Sequence, residues 1–239
     1  APANTSSDNI GNQSSDYSSN LSAFDLVFGA NPENSFPNIA PATNVHLDDK
    51  PESMYWQMHN KYIFTQTDNG ILIIDQHNAH ERILYEKAVK AMNRELSNSQ
   101  SLLFPVRLQL SSAHVSVLKE ILSEVISLGY GVEIIDGTTV EVSSLPGDVE
   151  QGNEHHALTE LLEEYSENQT IRTDKRDNIA ASFSCKAAIK TGKKLTQAEM
   201  KNLAEMLFKT QVPYVCPHGR PVILEMSLIG FDKMFKRIL

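Results

Sequence analysis

From Met54 onward the apolar positions form short blocks whose spacing alternates between that of strands and that of helices. Tyr55 to Thr67 carries aromatic and β-branched residues and predicts a strand. Asp68-Asn69-Gly70 is a tight-turn signal, and Ile71 to Ile74 follows as a wholly apolar, buried strand ended by Asp75. From His77 to Leu96 the residues Ile83, Leu84, Ala88, Ala91 and Met92 recur at helical spacing. Leu102 to Leu110 reads as a strand. Ser112 to Leu128 reads as an amphipathic helix, with Val117, Leu118, Ile121, Leu122, Val125 and Leu128 on one side and Gly129 as its stop. Val132 to Ile135 and Thr139 to Val142 predict a hairpin around Asp136-Gly137, after which Pro146-Gly147 breaks the chain. His155 to Tyr165 and Asp174 to Lys190 predict helices. Thr196-Gln197-Ala198-Glu199 has the capping-box spacing and opens a helix to Phe208. Val222 to Glu225 is a short strand and Leu228 to Ile238 a last helix. No internal repeat is visible, and the mixture is α+β.

The first fifty residues lack this rhythm. They are rich in Ser, Asn, Asp and Pro, and apart from the short patch Phe24, Leu26, Val27 and Phe28 they are poor in apolar residues. Such a stretch buries too little apolar surface to offset its ordering entropy. Residues 1–51 are therefore expected to be a disordered linker to an upstream domain. The start at Ala1, without an initiator Met, also reads as a piece of something longer.

The 239 residues suffice for one large domain or two small ones. No apolar run approaches the roughly 20 residues that cross a bilayer, and no basic and then apolar leader follows Ala1. Two cysteines, Cys185 and Cys216, are too few for a disulfide framework, so a reducing, intracellular location is expected. The net charge is -9; the first fifty residues hold six acidic residues against Lys50 alone, leaving 24 acidic against 20 basic residues in the remainder. That is no footprint for tight nonspecific DNA binding. A DNA-acting chain of this charge needs another domain or partner to bring the DNA.

Three segments carry candidate chemistry. In Asp75-Gln76-His77-Asn78-Ala79-His80-Glu81, Asp75 closes a buried strand, where a rigid scaffold can present a reactive group. His77 and Glu81 are spaced i, i+4, so both lie on one helix face and suit one divalent ion, with Asp75 near enough to add a carboxylate. Glu86, about 140° further round the helix, points elsewhere and suits a structural pair. The plain alternative is a solvated helix face. In Cys216-Pro217-His218-Gly219-Arg220-Pro221, Cys216 and His218 project to one side of an extended loop stiffened by prolines, and a thiolate with an imidazole favours zinc. The alternative is a buried Cys beside a hydrogen-bonded His. Cys185, inside the Ala-rich stretch around Ser184-Cys185-Lys186, reads locally as a packing residue. If the three segments converge, their donors suit one or two transition-metal ions.

At these residues the chain resembles the C-terminal region of the endonuclease-bearing MutL mismatch-repair family. Asp75 to Glu81, with Glu86 beyond, resembles that family's DQHA-x-x-E-x-x-x-x-E motif; Ser184-Cys185-Lys186 corresponds to its ACR element, Cys216 to Pro221 matches its CPHGRP element, and Phe235-Lys236-Arg237 resembles its FxR. The departures are Asn78 for Ala, and Ser184 and Lys186 where Ala and Arg are usual. The resemblance implies a metal site of His77, Glu81, Cys185, Cys216 and His218, with Asp75, His77 and Glu81 as the catalytic set. It implies a dimerisation and endonuclease subdomain from residues 52–99 and 184–239, and an inserted external α/β subdomain from residues 100–183. It further implies a homodimer in the bacterial cytoplasm, at the nucleoid, acting on DNA with a mismatch-recognition protein engaged through the full-length chain. By ligand chemistry, Zn2+ suits the thiolate-containing site and Mn2+, a harder ion, suits the activating role.

Gln100-Ser101-Leu102-Leu103-Phe104-Pro105 resembles the peptide with which family members contact the replication sliding clamp, Gln100, Leu102, Leu103, Phe104 and Pro105 being the contact residues. The alternative is a strand entering the external subdomain. For the chain as a whole, the alternative to a nicking endonuclease is a non-catalytic, zinc-stabilised dimerisation and clamp-binding module.

Overall fold

The computed structural model of the chain describes residues 40–41, 54–93, 98–169, 172 and 174–238. The apolar patch at Phe24 to Phe28 and nearly all of the expected linker lie outside these residues. The fold is α+β, built on two antiparallel sheets.

The first sheet has the order β1-β8-β4-β3-β2, from β1 (Ala40–Pro41), β2 (Tyr55–Met58), β3 (Tyr62–Thr67), β4 (Gly70–Asp75) and β8 (Ile223–Ser227). The segment Tyr55 to Thr67, expected as one strand, is a hairpin. His59 and Asn60 have φ of 50° and 51°, and Lys61 N–H donates to Met58 C=O at 3.0 Å. Two successive left-handed residues make a turn whose twist suits a hairpin, and here no glycine advertises it. At the next turn Gly70 is required by close approach, because a Cβ there would stand 2.1 Å from the Met226 carbonyl oxygen of β8. Ala40–Pro41, within the stretch expected to be linker, pairs with Glu225 and Leu224 at the sheet edge. An edge tolerates the missing N–H of proline.

The second sheet has the order β5-β7-β6, from β5 (Ser99–Gln109), β6 (Gly131–Ile134) and β7 (Thr139–Pro146). The helices are α1 (Gln76–Met92), α2 (Ser112–Ser127), α3 (Glu154–Asn168), α4 (Lys175–Ala187), α5 (Gln197–Phe208) and α6 (Leu228–Met234). Thr196 and Glu199 form the capping box of α5. Three helices are shorter than their patterns suggested. Helix α1 stops at Met92, α4 at Ala187 because Ala188 is extended, and α6 at Met234, ahead of Lys236 at φ 55°.

Each sheet has its own core. Tyr55, Ile63, Leu72, Ile74 and Ile223 meet Ala79 and Ile83 of α1 and Met200, Leu203 and Leu207 of α5. Leu118, Ile121 and Val125 of α2, Val140 and Val142 of β7, and Leu158, Leu161 and Leu162 of α3 form the other, with Ile179 and Phe183 of α4. Helix α1 serves both, since its later residues Ala88 and Met92 join the second core. The period-2 alternation of the first sheet leaves Trp56, Met58 and Tyr62 exposed on its outer face, with Trp56 stacked on Phe64 at 5.4 Å. Among the described residues no helix is long and apolar enough to cross a membrane.

Candidate metal centre

Helix α1 positions the first group of side chains. Asp75 ends β4 and caps α1, its Oδ1 accepting from His77 N–H and Asn78 N–H at 3.0 Å each. An extended residue with a short carboxylate is what a helix start requires. Buried Gln76 donates to the carbonyls of Asn60 at 2.8 Å and Lys193 at 3.1 Å, tying this corner to the hairpin turn and to the segment after α4.

The peptide of Ile189 is held between two histidines. His77 Nδ1 lies 2.9 Å from Ile189 C=O, and Ile189 N–H donates to His80 Nδ1 at 2.9 Å. A carbonyl only accepts, so His77 carries its proton on Nδ1, leaving Nε2 as the nitrogen open to a cation. His80 must be unprotonated at Nδ1. Burial is the main reason its pKa falls to about 4.

Four residues after His77, Glu81 is buried, and its Oε1 lies 2.8 Å from Nδ1 of His218. Burial by itself would raise the Glu81 carboxyl; the contacts with His218 and Cys216, and the nearby His77, outweigh it and the net direction is down. Contacts with Cys216 and then Glu81 push His218 up to about 9, against its burial. The metal-free pair is thus carboxylate and imidazolium.

Cys216 and His218 lie on a tight loop. Val215 bridges Pro221, Cys216 N–H donates to Arg220 C=O at 2.9 Å, and Gly219 N–H donates to Cys216 C=O at 2.9 Å, with Pro217 preset at the second turn position and Gly219 at φ 77°. Side chains from elsewhere strap this loop. Arg82 Nε donates to Val215 C=O at 2.6 Å, Asn78 Nδ2 to Pro221 C=O at 3.1 Å, and Arg172 Nη2 to Pro217 C=O at 2.5 Å. Glu86 accepts from Gln211 N–H and Val212 N–H, a structural role that keeps it off the metal group. Asn78, a departure from the resembled motif, is therefore one of the straps.

Glu81, Cys216 and His218 each bring a ligand atom within 4.8 Å of the other two. Cys185, on α4, forms a second such group with His218 and Glu164. Burial, then the charges of Glu164 and Glu81, push the Cys185 thiol up to about 11. These donors fit a borderline cation such as zinc, which takes thiolate, imidazole and carboxylate together and would neutralise the clustered negative charge. Neither group includes Asp75 or His77. Glu164 was not anticipated, because nothing in the spacing of α3 links it to a loop near the chain's end.

The 55–195 stretch matches the family model described as the MutL C terminal dimerisation domain. The chain belongs to the MutL family. It is 47% identical over 196 residues to the DNA mismatch repair protein MutL of Chloroherpeton thalassium, covering 80% of this chain and 31% of that protein. The MutL of Chlorobaculum parvum is 45% identical over 207 residues (86% and 33%), and that of Chlorobium chlorochromatii 42% over 200 residues (83% and 31%). The chain spans about a third of the length of these curated relatives. The family match begins at Tyr55, the first residue of β2, and ends before α5 and the Cys216–Pro221 loop.

The clamp-like peptide occupies β5 at a break in register. Ser101 pairs with Ser144 and Val106 with Val142, so residues 102–105 bulge out of the ladder. Gln100 Nε2 donates within the fold, to Val149 C=O and to Pro146 C=O. Leu102 packs on the second core, Pro105 is exposed, and Leu103 and Phe104 are 88% and 75% exposed.

Proposed function

We propose that this chain is the metal-dependent, DNA-nicking and homodimer-forming portion of a mismatch-repair protein. The observation that carries the reading is the convergence on His218: it groups with Glu81 and Cys216 and also with Cys185, although Glu81 is more than a hundred residues from each of the others. Structural histidines and cysteines have no need of that company.

A divalent ion held there would polarise a phosphoryl oxygen and lower the pKa of a bound water. Glu81, Cys185, Cys216 and His218 would hold such an ion, and zinc suits a set containing thiolates. His77, fixed by Ile189, offers Nε2 one helical turn before Glu81. Asp75, anchored at a strand end, orients the attacking water, and Mn2+ is the activating ion. With a net charge of -9 the chain does not gather DNA by itself. The remainder of the protein and the mismatch-recognition partner deliver the strand.

The homodimer uses the outer face of the first sheet and α6. Trp56, Met58, Tyr62, Leu228 and Ile229 are 38% to 61% exposed there, an apolar surface of the kind that marks an interface, and the matched family is named for dimerisation. The bulged peptide around Leu103 and Phe104 is the sliding-clamp contact, presenting two exposed apolar side chains.

The test is nicking of supercoiled plasmid in Mn2+ by the full-length protein carrying this region. Asp75→Asn should abolish nicking and leave the dimer intact; nicking at the unaltered rate by that variant rejects the assignment. The second reading, a zinc-stabilised dimerisation module without chemistry, is favoured by the absence of Asp75 and His77 from the two ligand groups. It requires bound zinc and a dimer but no nicking by the unaltered protein.

A further inference from the structure

We infer that Glu164 is a ligand of the metal centre, supplied by the second core, and that Lys186 occupies its carboxylate until an ion arrives. The inference rests on the metal-centre reading above and extends its ligand set by one residue.

Glu164, Cys185 and His218 stand within 4.8 Å of one another by their ligand atoms. A carboxylate, a thiol and an imidazole at that spacing are a zinc-type donor set. His218 also belongs to the group with Glu81 and Cys216, so the two triads form one continuous patch. Without Glu164, Cys185 would meet only His218 in that triad.

The carboxylate is already engaged by a cation. Glu164 Oε2 lies 3.1 Å from Lys186 Nζ, while Oε1 accepts from Asn168 Nδ2 at 3.0 Å. Lys186 follows Cys185 on α4, and both side chains reach Glu164, Lys186 through its ion pair and Cys185 at ligand spacing. The Lys186 side chain is 33% exposed and its stem is flexible, so it can turn to solvent when a divalent ion takes its place. Exchanging an ammonium for a divalent ion in a patch holding Glu164, Cys185 and Glu81 is electrostatically favourable.

The placement has a structural consequence. Glu164 lies on α3 between Leu161, Leu162 and Tyr165, which are buried in the second core. An ion shared with His218 therefore fastens that core to α1 and to the Cys216–Pro221 loop of the first. The metal joins the two halves of the fold as well as serving a site between them.

Zinc affinity, measured by competition with a chromophoric chelator, and the visible spectrum of the Co2+-loaded protein test this. Glu164→Gln should weaken zinc binding about tenfold or more. It should also change the Co2+ ligand-field bands, while the thiolate-to-metal charge-transfer bands stay because both cysteines remain. Lys186→Met should act in the opposite sense and tighten binding severalfold. Glu164→Gln with unaltered affinity and unaltered Co2+ spectrum overturns this inference and leaves the metal centre standing. Failure of the unaltered protein to bind zinc, or zinc binding untouched in Cys216→Ser, overturns the centre itself and the inference with it.

Discussion

Nδ1 of His218 stands 2.8 Å from Oε1 of Glu81, closing a loop near the end of the chain onto the first helix. In the metal-free protein this pair has a defined pH signature. Contacts with Cys216 and then Glu81 raise His218 on folding from 6.5 to about 9, so its stabilisation is complete below 6.5 and is lost as pH climbs through about 9. Glu81, held below its ordinary 4.5, stabilises above that value and loses the contribution as pH falls. The pair therefore contributes most between 4.5 and 6.5. Urea unfolding with chelator present should show His218→Gln less stable than the unaltered chain below pH 6.5, with the gap closing above pH 9. A gap of constant size would contradict the contacts that His218 makes with Cys216 and Glu81.

The straps on the Cys216–Pro221 loop differ in strength. Asn78→Ala removes a neutral hydrogen bond to Pro221 and should cost about 1 kcal/mol. Arg82→Met removes a charge-assisted one to Val215 and should cost about 1.5–3 kcal/mol. Both variants should also bind zinc more weakly, as loss of a supporting hydrogen bond loosens a ligand. Equilibrium denaturation and chelator competition read the two effects. Zinc affinity unchanged in Arg82→Met would mean that the loop holds its shape without α1.

The proposed dimer surface is testable by charge. Ile229, 61% exposed on α6, tolerates a polar replacement in an isolated protomer. Ile229→Glu should shift sedimentation from dimer to monomer at micromolar concentration, because a carboxylate buried in an apolar interface is left without a partner. Persistence of the dimer would move the interface elsewhere.

Leu103 and Phe104 contribute little to the fold, being 88% and 75% exposed. The double variant Leu103→Ala, Phe104→Ala should unfold within about 0.5 kcal/mol of the unaltered chain. Its binding to an immobilised sliding clamp should fall below detection. Unchanged clamp binding would leave the bulge in β5 as a structural irregularity.

What was legible in the sequence was local. The capping box at Thr196 and Glu199, the stop at Gly129 and the strand ended by Asp75 depend on neighbours a few residues apart, and each stands where its pattern put it. The hairpin turn at His59-Asn60 leaves only a faint mark in the sequence, because Asn and His enter the left-handed region more readily than most residues but far less readily than glycine. The pairing of Ala40–Pro41 with β8 and the approach of Glu164 to His218 depend on chain segments far away, which periodicity does not encode. The same holds for the Ile189 peptide between His77 and His80: each histidine is visible in the motif, but their shared partner is over a hundred residues distant. The motifs named Glu81, Cys185, Cys216 and His218; tertiary packing decided which of them meet.

X-ray absorption at the zinc edge of the loaded protein tests most directly whether these side chains share an ion. The expected shell contains sulfur at about 2.3 Å together with nitrogen or oxygen at about 2.0–2.2 Å, with the sulfur contribution reduced in Cys216→Ser and again in Cys185→Ser. Zinc bound without sulfur, or a spectrum indifferent to both substitutions, would contradict a centre built from α1, α4 and the Cys216–Pro221 loop.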